Sequence, residues 1–250
     1  MLFPAIFSAL DPDKKKDPFS LAALVGANLI PLVGVFLFHW DISFIVLLYW
    51  LENLVVGFYN ILKMITVRMA GTASNLQKLG LISFFCLHYG GFCAVHGVFL
   101  LVFFKIGSGS APLAGISTWW GPLVFLQLLF SVISRLWASK PPEMIWALLG
   151  LFISHGISFV ENYLLGGEYK TKDLRSLMQQ PYHRIIIMHL AILLGGIFVM
   201  HLNSPLPLLV ILVMLKMFID LHLHRKSHKT KRKFHMAAQK DLSSNENEGL

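Results

Sequence analysis

Seven stretches of about 20 apolar residues each, separated by short polar breaks, constrain this chain more than any other feature. They run approximately Phe19 to Phe38, Ser43 to Ile65, Gly80 to Phe104, Trp119 to Ala138, Glu143 to Leu165, Tyr182 to Leu202 and Pro205 to His224. A segment of that length matches a bilayer's hydrocarbon core, and in lipid only a helix or a closed barrel satisfies its own backbone. The expected fold is therefore all-α, a polytopic transmembrane helix bundle of about seven spans. An alternative has six spans, with Glu143 to Leu165 as a re-entrant segment. The breaks carry the usual helix stops: His39-Trp40-Asp41, Gly71 to Lys78, Gly107 to Thr118, Ser139 to Pro142, Gly166 to Pro181 and Asn203-Ser204-Pro205. The last is so short that the sixth and seventh helices are expected to form an antiparallel hairpin.

Composition agrees. The chain is 56% apolar and 14% charged, against about 25% charged for a soluble domain. A water-soluble globule, a disordered chain and a nucleic-acid partner are excluded on that ground. The net charge of +8 comes from short Lys/Arg runs beside apolar segments, as membrane topology signals do. Three regions follow: a basic segment 1–18, a helix bundle 19–224, and a basic, disordered tail 225–250. With seven alternating crossings, Lys and Arg divide almost evenly between the two sides, so orientation stays open. Phe19 to Trp40 reads as a span rather than a secretory leader, having no evident cleavage site. Cys86 and Cys93, about 10 Å apart along one helix, are too distant for a disulfide.

Charged groups at membrane depth cost about 3 kcal/mol or more, so each is a functional candidate. At 100° per residue, Glu52, Tyr59 and Lys63 form one stripe, with Asn53 and Asn60 beside it. His155 and Asn162 share a direction, near Ser158. Lys216, Asp220 and His224 follow at i, i+4 steps, which lets Lys216 pair with Asp220. Alternating crossings place Glu52, His96, Glu161, Asn162, His189, Lys216 and Asp220 in one half of the bilayer. His155 lies near its middle and His88 nearer the other side. The central expectation is that Glu52, His96, His155, His189 and Asp220 share one lipid-shielded chamber. A single intramembrane His more often serves as a helix-to-helix hydrogen bond than as a ligand, and Lys63, Arg135, His183 and His201 lie near segment ends, where snorkelling suffices. The small residues Gly90, Gly91, Gly97, Gly156, Gly195 and Gly196 let helices approach closely.

The strings YWLENLVVGFYNILKM (Tyr49 to Met64), HYGGFCAVHGVFL (His88 to Leu100), SHGISFVENYLLGGEY (Ser154 to Tyr169), QPYHRIIIMHLAILLGG (Gln180 to Gly196) and LKMFIDLHLH (Leu215 to His224) resemble an uncharacterised family of prokaryotic polytopic membrane proteins, classed only as a domain of unknown function. The resemblance covers about Phe19 to His224. It implies a prokaryotic plasma-membrane location and that Glu52, Asn53, His88, His96, His155, His189 and Asp220 belong to recurring strings. It brings no activity, cofactor or ligand.

Three functional classes compete. The first is a metal site, with zinc or iron held among His88, His96, His155, His189, Asp220 and His224, Glu52 as the catalytic carboxylate, and Asn53, Glu161, Asn162 and Lys216 lining the cavity. No HExxH spacing supports a particular metal. Phe92 to His96 resembles the Phe-x-x-x-His element of prenyl-protein-processing endopeptidases, but their paired glutamates are missing. The second is a proton-coupled transporter relaying protons through the same carboxylates and imidazoles. The third is a structural protein whose polar groups hold helices together. Lipid is the expected partner in each, a small molecule or peptide is the substrate of the first two, and self-association is compatible with all.

Overall fold

The computed structural model describes residues 18–68, 74–106, 120–139, 141–202 and 204–218. Among these the chain is helical, with no strand. The helices are α1 (Pro18–Phe38), α2 (Ile42–Thr66), α3 (Ser74–Phe103), α4 (Leu123–Ser139), α5 (Glu143–Ser158), the short α6 (Glu168–Thr171) and α7 (Leu174–Gln179), α8 (Tyr182–Leu202) and α9 (Leu206–Phe218). A π-helical segment, Phe159–Leu165, continues α5.

Local chemistry explains the boundaries. The Asp41 carboxylate accepts the Ser43 N–H at 2.8 Å and starts α2. Just before it, His39 takes φ +54° and the Trp40 N–H reaches back to the Gly34 carbonyl at 3.1 Å, closing the end of α1. Pro122 and Gly121, the latter at φ +58°, hold the start of α4 to Leu123, four residues later than the hydropathy alone suggests. Asp173 caps α7 through the Arg175 and Ser176 N–H groups, each at 3.1 Å.

Four helical stretches are long and apolar enough to cross a membrane: Ile42–Thr66, Asn75–Phe103, Glu143–Leu165 and Leu174–Leu202. Asn28–Phe38, Leu123–Ser139 and Leu206–Phe218 are apolar but shorter. Each of the seven expected segments thus overlaps a helix, and four of them reach spanning length among the described residues.

Helix directions depart from strict alternation. Trp50 meets Cys93 and Gly57 meets Tyr89, so α2 and α3 are antiparallel. Gly91 of α3 faces Phe125 of α4 and Gly97 faces Val132, so these two run parallel. Tyr59 lies against Gly156, Tyr163 donates to the Lys63 carbonyl, and the Arg68 N–H donates to the Tyr169 carbonyl, so α5 and its π-helical end run parallel to α2. Seven alternating crossings would make both of those pairs antiparallel. Phe125 stands level with Gly91, so α4 begins beside the middle of α3. Finally α9 folds back on α8, where a Cβ on Gly195 would stand 2.7 Å from the Leu208 Cα, as the expected hairpin requires.

Two buried clusters hold the bundle. Val46, Trp50, Leu100, Leu101, Ala191, Leu208 and Leu209 anchor one. Met64, Phe85, Tyr89, Tyr163, Leu174 and Leu177 anchor the other, at the opposite end of α2. Their tyrosine and tryptophan polar atoms are satisfied by backbone: the Trp50 indole N–H donates to the Cys93 carbonyl at 2.9 Å, and the Tyr89 hydroxyl donates to the Asn53 carbonyl at 2.9 Å. Along α5 almost nothing is buried, and Trp146, Phe152, Ile153, Ile157 and Val160 are exposed.

Candidate functional site

Glu52 is the centre of the polar interior. Its Oε1 is 2.6 Å from the Arg184 Nη2 on α8 and 3.7 Å from the His155 Nε2 on α5. Three helices thus converge on one carboxylate oxygen. A carboxylate among apolar helices needs a cation or several donors to offset its desolvation, and a guanidinium supplies both charge and N–H groups. Lys216 of α9 adds a further positive charge within electrostatic reach of Glu52, its ammonium 4.8 Å from the centre of the Tyr49 ring. His155 is held from its other side by the Tyr59 ring, 6.4 Å away between centroids.

A cleft opens beside this group. Tyr49, Asn53, His183, Arg184 and Lys216 line it, over Ile187, Met188 and Leu212. Arg184 stands at the edge of a break in the Leu174–Leu202 stretch. There α7 stops at Gln179 and α8 starts at Tyr182, because Pro181 has no N–H to continue the ladder. The Gln180 carbonyl, freed by the break, lies 2.6 Å from the His183 Nδ1. Asn53 is buried, and its Nδ2 donates to the Tyr49 carbonyl of its own helix at 3.0 Å. Its Oδ1 is buried without a hydrogen-bond partner among the described residues.

A second polar group lies between α3 and α8. The His96 Nε2 and His189 Nδ1 are 2.9 Å apart, one ring donating its N–H to the bare nitrogen of the other. His96 is fully buried, at 1% exposure. About two turns earlier on α8, the Tyr182 hydroxyl is 2.8 Å from the Nδ1 of the exposed His88, which stacks on Phe84. Arg184 and His189 are about 7.5 Å apart along α8. Of the five residues expected to share one chamber, Glu52 lies with His155 and His96 with His189, while Asp220 lies outside the described residues.

Among the expected lining residues, Lys216 and Asn53 face the cleft. Glu161 and Asn162 are exposed on the π-helical segment, and the Asn162 Nδ2 donates to the Ser158 hydroxyl at 3.1 Å. Their expected direction assumed 100° per residue. The wider π turn, visible in the Gly166 N–H donating five residues back to the Glu161 carbonyl at 2.9 Å, breaks that phase. Asp220 and His224, with the Lys216–Asp220 pairing, lie outside the described residues. Among the described residues no group of three or more His, Cys, Asp or Glu side chains could hold a metal ion.

Sequence reasoning does not single out Arg184, which counts there only among the Lys and Arg that divide between the two sides. The signal that could have found it is the pairing requirement of Glu52, for which the chain offers few cations at comparable depth. Pro181 was similarly read as a loop residue rather than as the break that sets Arg184 beside the cleft.

Neither the curated proteins nor the solved structures contain a match to the chain. The family model that does match is described only as a family of unknown function and spans residues 10–237. By that coverage the chain belongs to the family of unknown function DUF6498.

Proposed function

We propose that the chain is a multi-pass membrane protein acting as a proton-coupled carrier, with Glu52, His155 and Arg184 as its coupling group. The observation that carries this reading is the broken stretch α7–α8: its Pro181 interruption sets Arg184 against Glu52 at the edge of an open cleft. Carriers build their sites from such discontinuous helices, whose ends present unpaired backbone groups and charges to the substrate. A carboxylate held by a guanidinium and an imidazole from two other helices is a breakable latch. A proton moving onto Glu52 removes the attraction that ties α2 to α8, while His155 offers a neighbouring place for that proton. Tyr89 and Lys216 complete the set of titratable groups around Glu52.

The membrane setting rests on the four spanning-length helices and on exposed apolar side chains along α5, which in water would form an aggregation-prone patch. Helix directions also resolve the charge pattern. Lys63, Arg68, Lys78, Lys170, Lys172 and Arg175 fall at the end where α2 and α5 finish and α3 begins, and Arg68 packs over Tyr169. Lys105 and Arg135 fall at the other. By the positive-inside rule the first end is cytoplasmic, in the plasma membrane of a prokaryote. On this reading each of the seven apolar segments is a crossing.

Reconstitution into vesicles with an entrapped pH dye tests the carrier. A proton flux that vanishes in Glu52→Gln supports it; absent flux, or flux indifferent to that change, overturns it.

A metal enzyme is the second reading, favoured by the His96–His189 approach alone. Two tetrahedral zinc ligands at about 2.1 Å from the metal stand roughly 3.4 Å apart, so 2.9 Å suits a shared proton better. A third protein ligand would have to come from Asp220, His222 or His224. Near-stoichiometric zinc or iron in purified protein, lost in His96→Ala, would promote this reading over the carrier.

A further inference from the structure

The cleft beside Glu52 contains more than coupling requires, and we infer that it is a binding site for a small phosphate ester carrying a hydroxyl group. The inference rests on the carrier reading for its setting but on separate atoms for its chemistry. Asn53 is 4% exposed and lines the cleft. Because its Nδ2 is turned back onto the Tyr49 carbonyl, the amide oxygen on the other side of Cγ has no donor among the described residues. A buried acceptor in that condition costs about 1–3 kcal/mol, a cost that a ligand hydroxyl donating to it would relieve.

The other polar residues of the lining call for an anion. His183 and Arg184 are the second and third residues of α8, so the first turn of a 21-residue helix, with the positive end of its dipole, adjoins the cleft. The Arg184 guanidinium engages Glu52 through Nη2, one end of a planar fork that carries five N–H donors. The Lys216 ammonium, held over Tyr49, lies on the same lining. A guanidinium fork, an ammonium and a helix start together match the several oxygens of a phosphate better than a single carboxylate. Ile187, Met188 and Leu212 supply an apolar floor for a short carbon skeleton. The ligand chemistry is therefore phosphate at the Arg184 side and a hydroxyl toward Asn53, as in a free phosphoglycerol or the headgroup of phosphatidylglycerol.

The test uses the purified full-length chain at pH 8 and titrates sn-glycerol 3-phosphate and methyl phosphate, which lacks the hydroxyl. The expected result is that glycerol phosphate binds and weakens roughly three- to tenfold in Asn53→Leu, while methyl phosphate binds both proteins alike. Lys216→Gln, at a half-buried lining position, weakens both ligands and serves if Asn53→Leu fails to fold. A headgroup source gives a different supporting pattern: no binding of free glycerol phosphate, and a higher unfolding temperature in phosphatidylglycerol than in phosphatidylcholine nanodiscs that is lost in either variant. Equal binding by wild type and variants, or no response to either source, overturns the site. Binding without proton flux retires the carrier and keeps the site; flux without binding does the reverse.

Discussion

A Cβ on Gly156 would stand 2.7 Å from the hydroxyl oxygen of Tyr59, the same hydroxyl that donates to the Phe152 carbonyl at 2.9 Å. The missing side chain at 156 and the long one at 59 are one arrangement. It brings α5 close enough to α2 for the neighbouring His155 to reach Glu52.

Gly156→Ala should therefore destabilise the protein by about 1–2 kcal/mol through overpacking. In a Tyr59→Phe background the obstructing oxygen is gone, and the same change should be neutral or stabilising by up to about 1 kcal/mol, because Ala is the better helix former. Thermal unfolding of the two single variants and the double variant in one detergent measures this reversal of sign.

Trp50 is 1% exposed and its indole N–H satisfies the Cys93 carbonyl. Trp50→Phe removes that donor and leaves space between α2 and α3. The expected loss is about 2–3 kcal/mol, seen as a lowered unfolding midpoint. Since Trp50 is not itself among the residues lining the cleft, residual folded protein should keep its ligand response.

Pro181 makes the interruption between α7 and α8. Pro181→Ala restores an N–H and permits a continuous helix, with little cost in stability. Proton flux in vesicles should fall strongly, because Arg184 would swing away from Glu52. Undiminished flux would mean that the break has no part in coupling.

Much of this architecture was legible locally. Helix positions follow from runs such as Tyr182 to Leu202 and from stops such as Asp41 and Pro142, where a few adjacent residues decide. The His96 and His189 partnership was approachable too, since both lie at similar depth from their helix ends. Arg184 was not, because its role depends on α2 meeting α8, two helices more than 100 residues apart in sequence. Glu161 and Asn162 failed as lining residues for a different reason: periodicity holds only while the helix keeps one pitch, and the π-helical segment Phe159–Leu165 ends that condition. Helix direction was hidden for a third reason, as hydropathy marks each apolar segment but says nothing of which neighbours run parallel, as α3 and α4 do.

The whole account turns on the Oε1 of Glu52 meeting the guanidinium of Arg184 at 2.6 Å. A double-mutant cycle with Glu52→Gln, Arg184→Gln and the paired change, read by thermal unfolding in lipid nanodiscs, measures that coupling directly. The expected interaction energy is roughly 1–3 kcal/mol, with the double variant more stable than the sum of the singles implies. Strictly additive losses would show that the two residues do not meet, and the coupling group at Glu52 would be contradicted.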